Sequence, residues 1–276
     1  MSATVPEPST LSRMEETSPS VFLVARPSVD LDGMRGYLDG VGGSSWLDRR
    51  VEEAPEGAPN PAELLVEFGG RVCYRSWEPG LNPNVTRVRT GQDEYFANLI
   101  GSLHGSVLEH ANFSFAFRQV SRVFTHELVR HRAGSAFSQE SLRYVRLTDI
   151  GFRVPPALEP VREQVVSLVE QLEEFQVSAA EALGLDDDGV PFSVKKEVTS
   201  ALRRLAPIGL STDILWTANV RTLRHVIEMR TAAGAEEELR LVFDRVAQVM
   251  VREAPYLFQD FARLDDGSWV PEHRKV

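Results

Sequence analysis

The sequence predicts a single α+β domain, and three patterns carry that expectation. Apolar residues alternate over His110–Phe117 and put Phe113, Phe115 and Phe117 on one face, a strand signal. Apolar residues recur at helical spacing over Glu159–Leu183 and Ala235–Ala254, which predicts long amphipathic helices. Residues 20–276 contain no internal repeat and no linker-like stretch, so these elements are expected to share one core.

Taken in order, residues 1–19 are rich in Ser, Pro, Thr and Glu and are expected to form a disordered tail. Val21–Ala25 is a short apolar run that suits a strand. Gly and Pro punctuate 35–61, which reads as irregular. Leu64–Tyr74 suits a strand, or a short helix followed by one, and periodicity does not decide between them. Breakers make 79–87 a loop. Asp93–His104 has helical spacing, and Ser121 is placed to cap a helix running to about Arg132. Ala133–Gln139 is small and polar, a loop, and Leu142–Leu147 is strand-like. Gly184 and the acidic run 186–188 end the long helix. Ser193–Leu205, Thr222–Thr231 and Ala235–Ala254 are helical, with Gly234 between the last two, and Leu215–Ala218 is extended.

Composition narrows the functional classes. The 40 acidic residues against 30 basic ones leave a net charge of −10, which argues against a nucleic-acid-binding surface. No apolar run reaches the roughly 20 residues of a membrane helix, and the first residues lack the apolar stretch of a secretory signal. The expectation is a soluble cytoplasmic protein with no membrane partner. The one cysteine, Cys73, excludes an internal disulfide and a thiolate metal cluster, and its apolar surroundings suggest a buried, inert thiol.

Against this acidic background, residues 130–146 carry four arginines, beginning with Arg130-His131-Arg132. Such a local inversion of charge suits an anionic ligand, phosphates first among them. A helix C-terminus would explain the triplet if it stood alone, because cations there complement the dipole. Two more clusters weigh against that reading. His104-Gly-Ser106 with Glu109-His110 precedes the Phe strand, and Asn219 and Arg221 lead into the predicted helix that carries Arg224, His225 and Arg230. His126-Glu127…His131 nearly spells a zinc-protease helix. Spacing five turns the second imidazole about 140° from the first, so no metal site is expected. No Rossmann, Walker or nucleophile-elbow motif is present.

The triplet followed by Ser141 and Arg143-Tyr144 resembles the signature of the flavin-dependent thymidylate synthases. So do Arg71-Val-Cys-Tyr-Arg-Ser76, the His104–His110 cluster, Trp216-Thr-Ala-Asn219-Val-Arg221, Arg230 and Ala254-Pro-Tyr-Leu-Phe, a likeness covering roughly 64–261. The resemblance implies a mixed sheet with long helices, a homotetramer, and FAD pockets built from several subunits. It also implies reductive C5-methylation of a uridylate nucleotide, with NADPH as reductant and methylenetetrahydrofolate as carbon donor. Carried over by position, Ser106, Arg130, His131, Arg132, Glu140, Asn219, Arg221 and His225 would contact FAD. The nucleotide would meet Glu127, Arg130, Ser141, Leu142, Arg143, Arg203 and Arg230, with Arg230 and Ser141 as the catalytic residues. Arg230 would support charge on the pyrimidine N3 and O4, and Arg143 with Arg203 would clamp phosphate.

Two departures bear on the substrate. Ala133–Glu140 makes the spacer before Ser141 eight residues, one longer than the family's usual, and Glu127 stands where the family usually has Gln. A longer loop and an extra acceptor suit a ribose 2′-OH, so this reading favours UMP, the substrate of the family's polyoxin-type antibiotic offshoot, over dUMP. A flavin- or nucleotide-binding module without chemistry is the non-enzyme alternative.

Overall fold

The computed structural model describes residues 14–276. In chain order the elements are β1 (Ser20–Ala25), α1 (Leu31–Val41), α2 (Ser44–Glu53), α3 (Pro61–Tyr74), α4 (Gln92–Gly101), β2 (Asn112–Ser121), α5 (Arg122–Leu128) and β3 (Ser135–Gln139). After them come α6 (Arg162–Ala182), α7 (Phe192–Leu202), β4 (Ser211–Asn219), α8 (Val220–Thr231), α9 (Glu237–Glu253), β5 (Phe261–Arg263) and β6 (Trp269–Pro271). One sheet has the order β1-β2-β4-β3, and β5 pairs antiparallel with β6. Mixed helix and sheet agree with the α+β expectation. Among the described residues no helix is long and apolar enough to cross a membrane.

By contacts between its segments the chain groups into two compact units. The first comprises residues up to 20, 118–127 and 139–214, and the second 21–117, 128–138 and 215–276. Their segments interleave without a linker, which is why composition shows no boundary.

The first unit is built on α6. Val165, Val166, Val169 and Leu172 form its apolar face, packed with Met14, Leu142, Leu147, Ile150, Val154 and Leu210. Helix α6 ends where the sequence predicts. Gly184 takes φ +62°, Gly184 N donates to Glu181 O, and Leu185 N donates to Ala180 O, a Schellman closure that needs the left-handed residue. Residues 142–147 are not a strand. Tyr144 N and Val145 N both donate to Ser141 O, so the backbone bonds locally while Leu142 and Leu147 bury. Of the expected tail 1–19, residues 1–13 lie outside the described residues. From residue 14 the tail expectation is corrected: Met14 is in the core, and Thr17 N donates to Phe152 O at 3.2 Å.

In the second unit the β2 alternation holds, with Phe113, Phe115 and Phe117 all buried. Phe115, Phe117, Trp216 and Phe243 pack ring on ring at centroid distances of 5.7–6.5 Å. The supposedly irregular 35–61 is largely helical. Asp30 caps α1 by accepting Gly33 N, Gly42 closes it at φ +74°, and Met34 and Leu38 join Trp46, Leu47, Leu64 and Trp77 in a core. Residues 64–74 are helical throughout, as α3. On the buried face of α3, Glu67 accepts from Trp46 Nε1, Arg50 and Arg71, each at 2.8 Å, so its charge is matched and hydrogen-bonded. Strands β5 and β6 are too short to leave a periodic signal.

Candidate functional site

The site begins where β4 becomes α8. Thr212, Ile214, Trp216 and Ala218 alternate inward along the strand, and the chain turns at the buried Asn219. Asn219 Oδ1 accepts Thr222 N at 2.9 Å, so the residue caps the helix that carries Arg221 and His225. The Arg130-His131-Arg132 triplet is not helical, because α5 stops at Leu128 and His131 N closes a turn on Leu128 O. The opposed-arginine geometry of a regular helix therefore does not apply to it.

The turn after the triplet is stitched to α8. Thr222 Oγ1 donates to Ala133 O at 2.8 Å, and Asn219 N donates to Gly134 O at 3.1 Å. Gly134 sits at φ +64°, and a Cβ there would press on the Asn219 amide and lie 2.6 Å from Thr222 Oγ1. From Ser135 to Gln139 the expected loop is strand β3. Its small, mostly polar residues hid it, because none of the five is fully buried and no apolar alternation marks the strand.

These contacts enclose a cavity of about 500 Å³ lined by Glu109, Arg130, His131, Arg132, Asn219, Arg221 and His225. Six of the residues expected at a cofactor thus share one cavity. Arg221 Nη1 pairs with Glu109 Oε1 at 2.6 Å, and its Nε donates to Val276 O at 3.1 Å. Three guanidiniums beside the N-terminus of a 12-residue helix favour an anionic group. Arg230, on the last turn of α8, donates from Nε to His131 Nε2 at 2.8 Å, and the His225 ring stands edge-on to His131 at 6.2 Å. Burial, then the Arg230 charge, then His225, push the His131 pKa down to about 4. Arg224 is no part of this wall. It turns inward onto Asp260 at 2.8 and 2.9 Å and onto Leu257 O at 2.6 Å.

Ser106 is not gathered with the others. It lines a second cavity of about 340 Å³ with Arg71, Cys73, Tyr74, Arg87, Arg89 and His104 among its walls. There Tyr74 and His104 stack at 5.5 Å, with Tyr74 OH 3.1 Å from His104 Nε2, a pairing of distant segments that the sequence does not reveal. Cys73 is exposed, not buried, because it lies on the outward face of α3.

The remaining expected residues belong to the first unit. Glu127 lies on α5. Glu140 Oε2 accepts Asp213 N at 3.2 Å and Thr212 Oγ1 at 3.4 Å. Ser141 Oγ accepts Arg143 N at 3.4 Å, and the buried Leu142 side chain leaves only its backbone for a ligand. Arg143 lines a cavity of about 470 Å³ with Lys196 and Arg204, whereas Arg203 lines a small one with Leu142 and Arg146. Lys196 was not singled out by the sequence. Its Nζ lies 5.4 Å from the Tyr144 ring centre, and its hydrogen bond and charge, with that of Arg143, lower the Tyr144 pKa. Among the described residues no three His, Cys, Asp or Glu are placed to hold a metal.

Comparison with known proteins agrees with the resemblance. Residues 58–256 match the family model described as thymidylate synthase complementing protein. A flavin-dependent thymidylate synthase of Mycolicibacterium gilvum is 36% identical over 213 residues, which cover 75% of this chain and 83% of that protein. Its namesake in Mycobacterium marinum is 37% identical over 215 residues, covering 75% and 84%. The Mycobacteroides abscessus protein of the same name is 37% identical over 222 residues, covering 75% and 83%. With a family match across most of its length and a cation-lined cavity built from the same signature residues, the chain belongs to the flavin-dependent thymidylate synthase family.

Proposed function

We propose that the protein catalyses reductive C5-methylation of a uridylate nucleotide. The observation that carries this reading is the meeting of Arg130, His131 and Arg132 with Asn219, Arg221 and His225 around one cavity, in a chain of this family. The cavity suits FAD: the guanidiniums and the α8 N-terminus favour its phosphates, and Gly134 lets the backbone approach without a Cβ. Bound there and reduced by NADPH, FAD would supply the electrons needed to turn a methylene group from methylenetetrahydrofolate into the product methyl. Arg230 stabilises negative charge on the pyrimidine as C5 becomes nucleophilic. Arg143 and Arg203, with Ser141, bind the nucleotide, its phosphate meeting the guanidinium forks.

For the substrate we take dUMP. The longer spacer that counted toward UMP is no open loop but an α8-anchored turn followed by β3. Identity of 36–37% to proteins named thymidylate synthases also supports the deoxynucleotide. UMP is the second reading and rests on Glu127, whose carboxylate suits a ribose hydroxyl. Purified protein given FAD, NADPH, methylenetetrahydrofolate and either nucleotide should yield dTMP from dUMP faster than 5-methyl-UMP from UMP. The reverse order selects the second reading. No methylated product from either sinks the enzymatic assignment. We further propose a cytoplasmic homotetramer, which would let residues from separate cavities of one chain serve different cofactor copies.

A further inference from the structure

His131 presents two different nitrogens, and the structure accounts for one of them. An arginine Nε always carries its proton, so the 2.8 Å contact from Arg230 requires a lone pair on His131 Nε2. The imidazole is therefore neutral, with its proton on Nδ1. Among the described residues no group bonds to that Nδ1–H. The charged and titratable groups around the ring favour the same state. Arg130 and Arg132 flank it in the chain, Arg221, His225 and Arg230 come from α8, and Glu109, the one acidic residue lining the cavity, is engaged by Arg221.

We propose that His131 is a positioning residue for Arg230: its Nε2 lone pair fixes the plane of the Arg230 guanidinium, while its Nδ1–H is reserved for an acceptor atom of the cofactor. The proposal rests on the reading that this cavity holds a flavin and that Arg230 serves the pyrimidine. Arginine has several rotatable bonds, and one anchored Nε removes most of the freedom of its planar head. A neutral imidazole that donates through one nitrogen and accepts through the other also links the two ligands. An acceptor at Nδ1 raises the basicity of Nε2 and tightens its hold on Arg230, as outer partners of metal-bound histidines tune their ligands.

Two variants separate the nitrogens, because a glutamine amide reaches the Nε2 position and an asparagine amide the Nδ1 position. His131→Asn should retain flavin but lose kcat by about 10- to 100-fold, whereas His131→Gln should weaken flavin binding by at least about tenfold and lower kcat per bound flavin by a clearly smaller factor than His131→Asn does. An unchanged kcat in His131→Asn, or equal losses per bound flavin in both variants, overturns the proposal. The pair is also read without turnover. In ¹⁵N-histidine NMR spectra, His131 should carry its proton on Nδ1 from about pH 5 to 8, and Arg230→Met should raise its pKa from about 4. A proton on Nε2, or a pKa indifferent to Arg230→Met, overturns it. A natural chain that binds no flavin refutes the cofactor assignment and leaves the NMR result to decide the pair.

Discussion

Glu63 is 3% exposed in the first turn of α3, where its carboxylate accepts Tyr256 N at 2.8 Å. Burial pushes its pKa up to about 7, the Tyr256 hydrogen bond works against that, and the Glu67 charge adds to it. A carboxyl whose folded pKa exceeds its unfolded value binds more protons in the native state, so stability falls as pH rises from about 4.5 to 7. Glu63→Gln keeps an acceptor for Tyr256 N and removes the charge. Thermal unfolding should show the variant more stable at about pH 8, by up to about 3 kcal/mol, and nearly level with the natural chain at about pH 5. Equal differences at both values would reject the pH linkage. At this scale the family resemblance made the signature residues legible, and six of them, from Arg130 to His225, share one cavity. It could not reveal that Cys73 faces outward or that Arg224 turns to Asp260, because those directions depend on segments far away in the chain.

The start of α8 binds three elements at once: it continues β4, receives the turn after the triplet, and opens the cavity. Gly134→Ala tests that junction. A left-handed alanine costs about 1–2 kcal/mol, and its Cβ would push against Asn219 and Thr222. Flavin affinity should fall at least about tenfold, a loss of about 1.4 kcal/mol or more, by fluorescence titration. Unaltered affinity would show that the stitching does not shape the cavity. Element identity was legible where periodicity was long, as in α6, α8, α9 and β2. It failed over 35–61 because the glycines of α1 look like breakers, although Asp30, Gly42 and two buried apolar residues suffice to define that helix. It failed again at β3, five residues without a strong alternation.

At the scale of the molecule, α+β composition was legible from the mix of periods, and the division into two units was not. Contact between segments, which one-dimensional composition does not carry, defines each unit. The proposed assembly is checked by light scattering on the eluting protein. A mass near four times 30.8 kDa is expected, and a monomer that binds flavin and turns over would refute the tetramer.

The interleaving also bears on biosynthesis. Both units draw on the first 25 residues, yet the first cannot close before residue 214 has been made, nor the second before its last segment, which starts at 215. Neither can finish early on the ribosome, so Phe115 and Phe117 must wait for Trp216 and Phe243 to pack against them. The nascent chain therefore carries this aromatic strand without those partners while residues 118–243 are made, and co-expression with chaperones should raise its soluble yield.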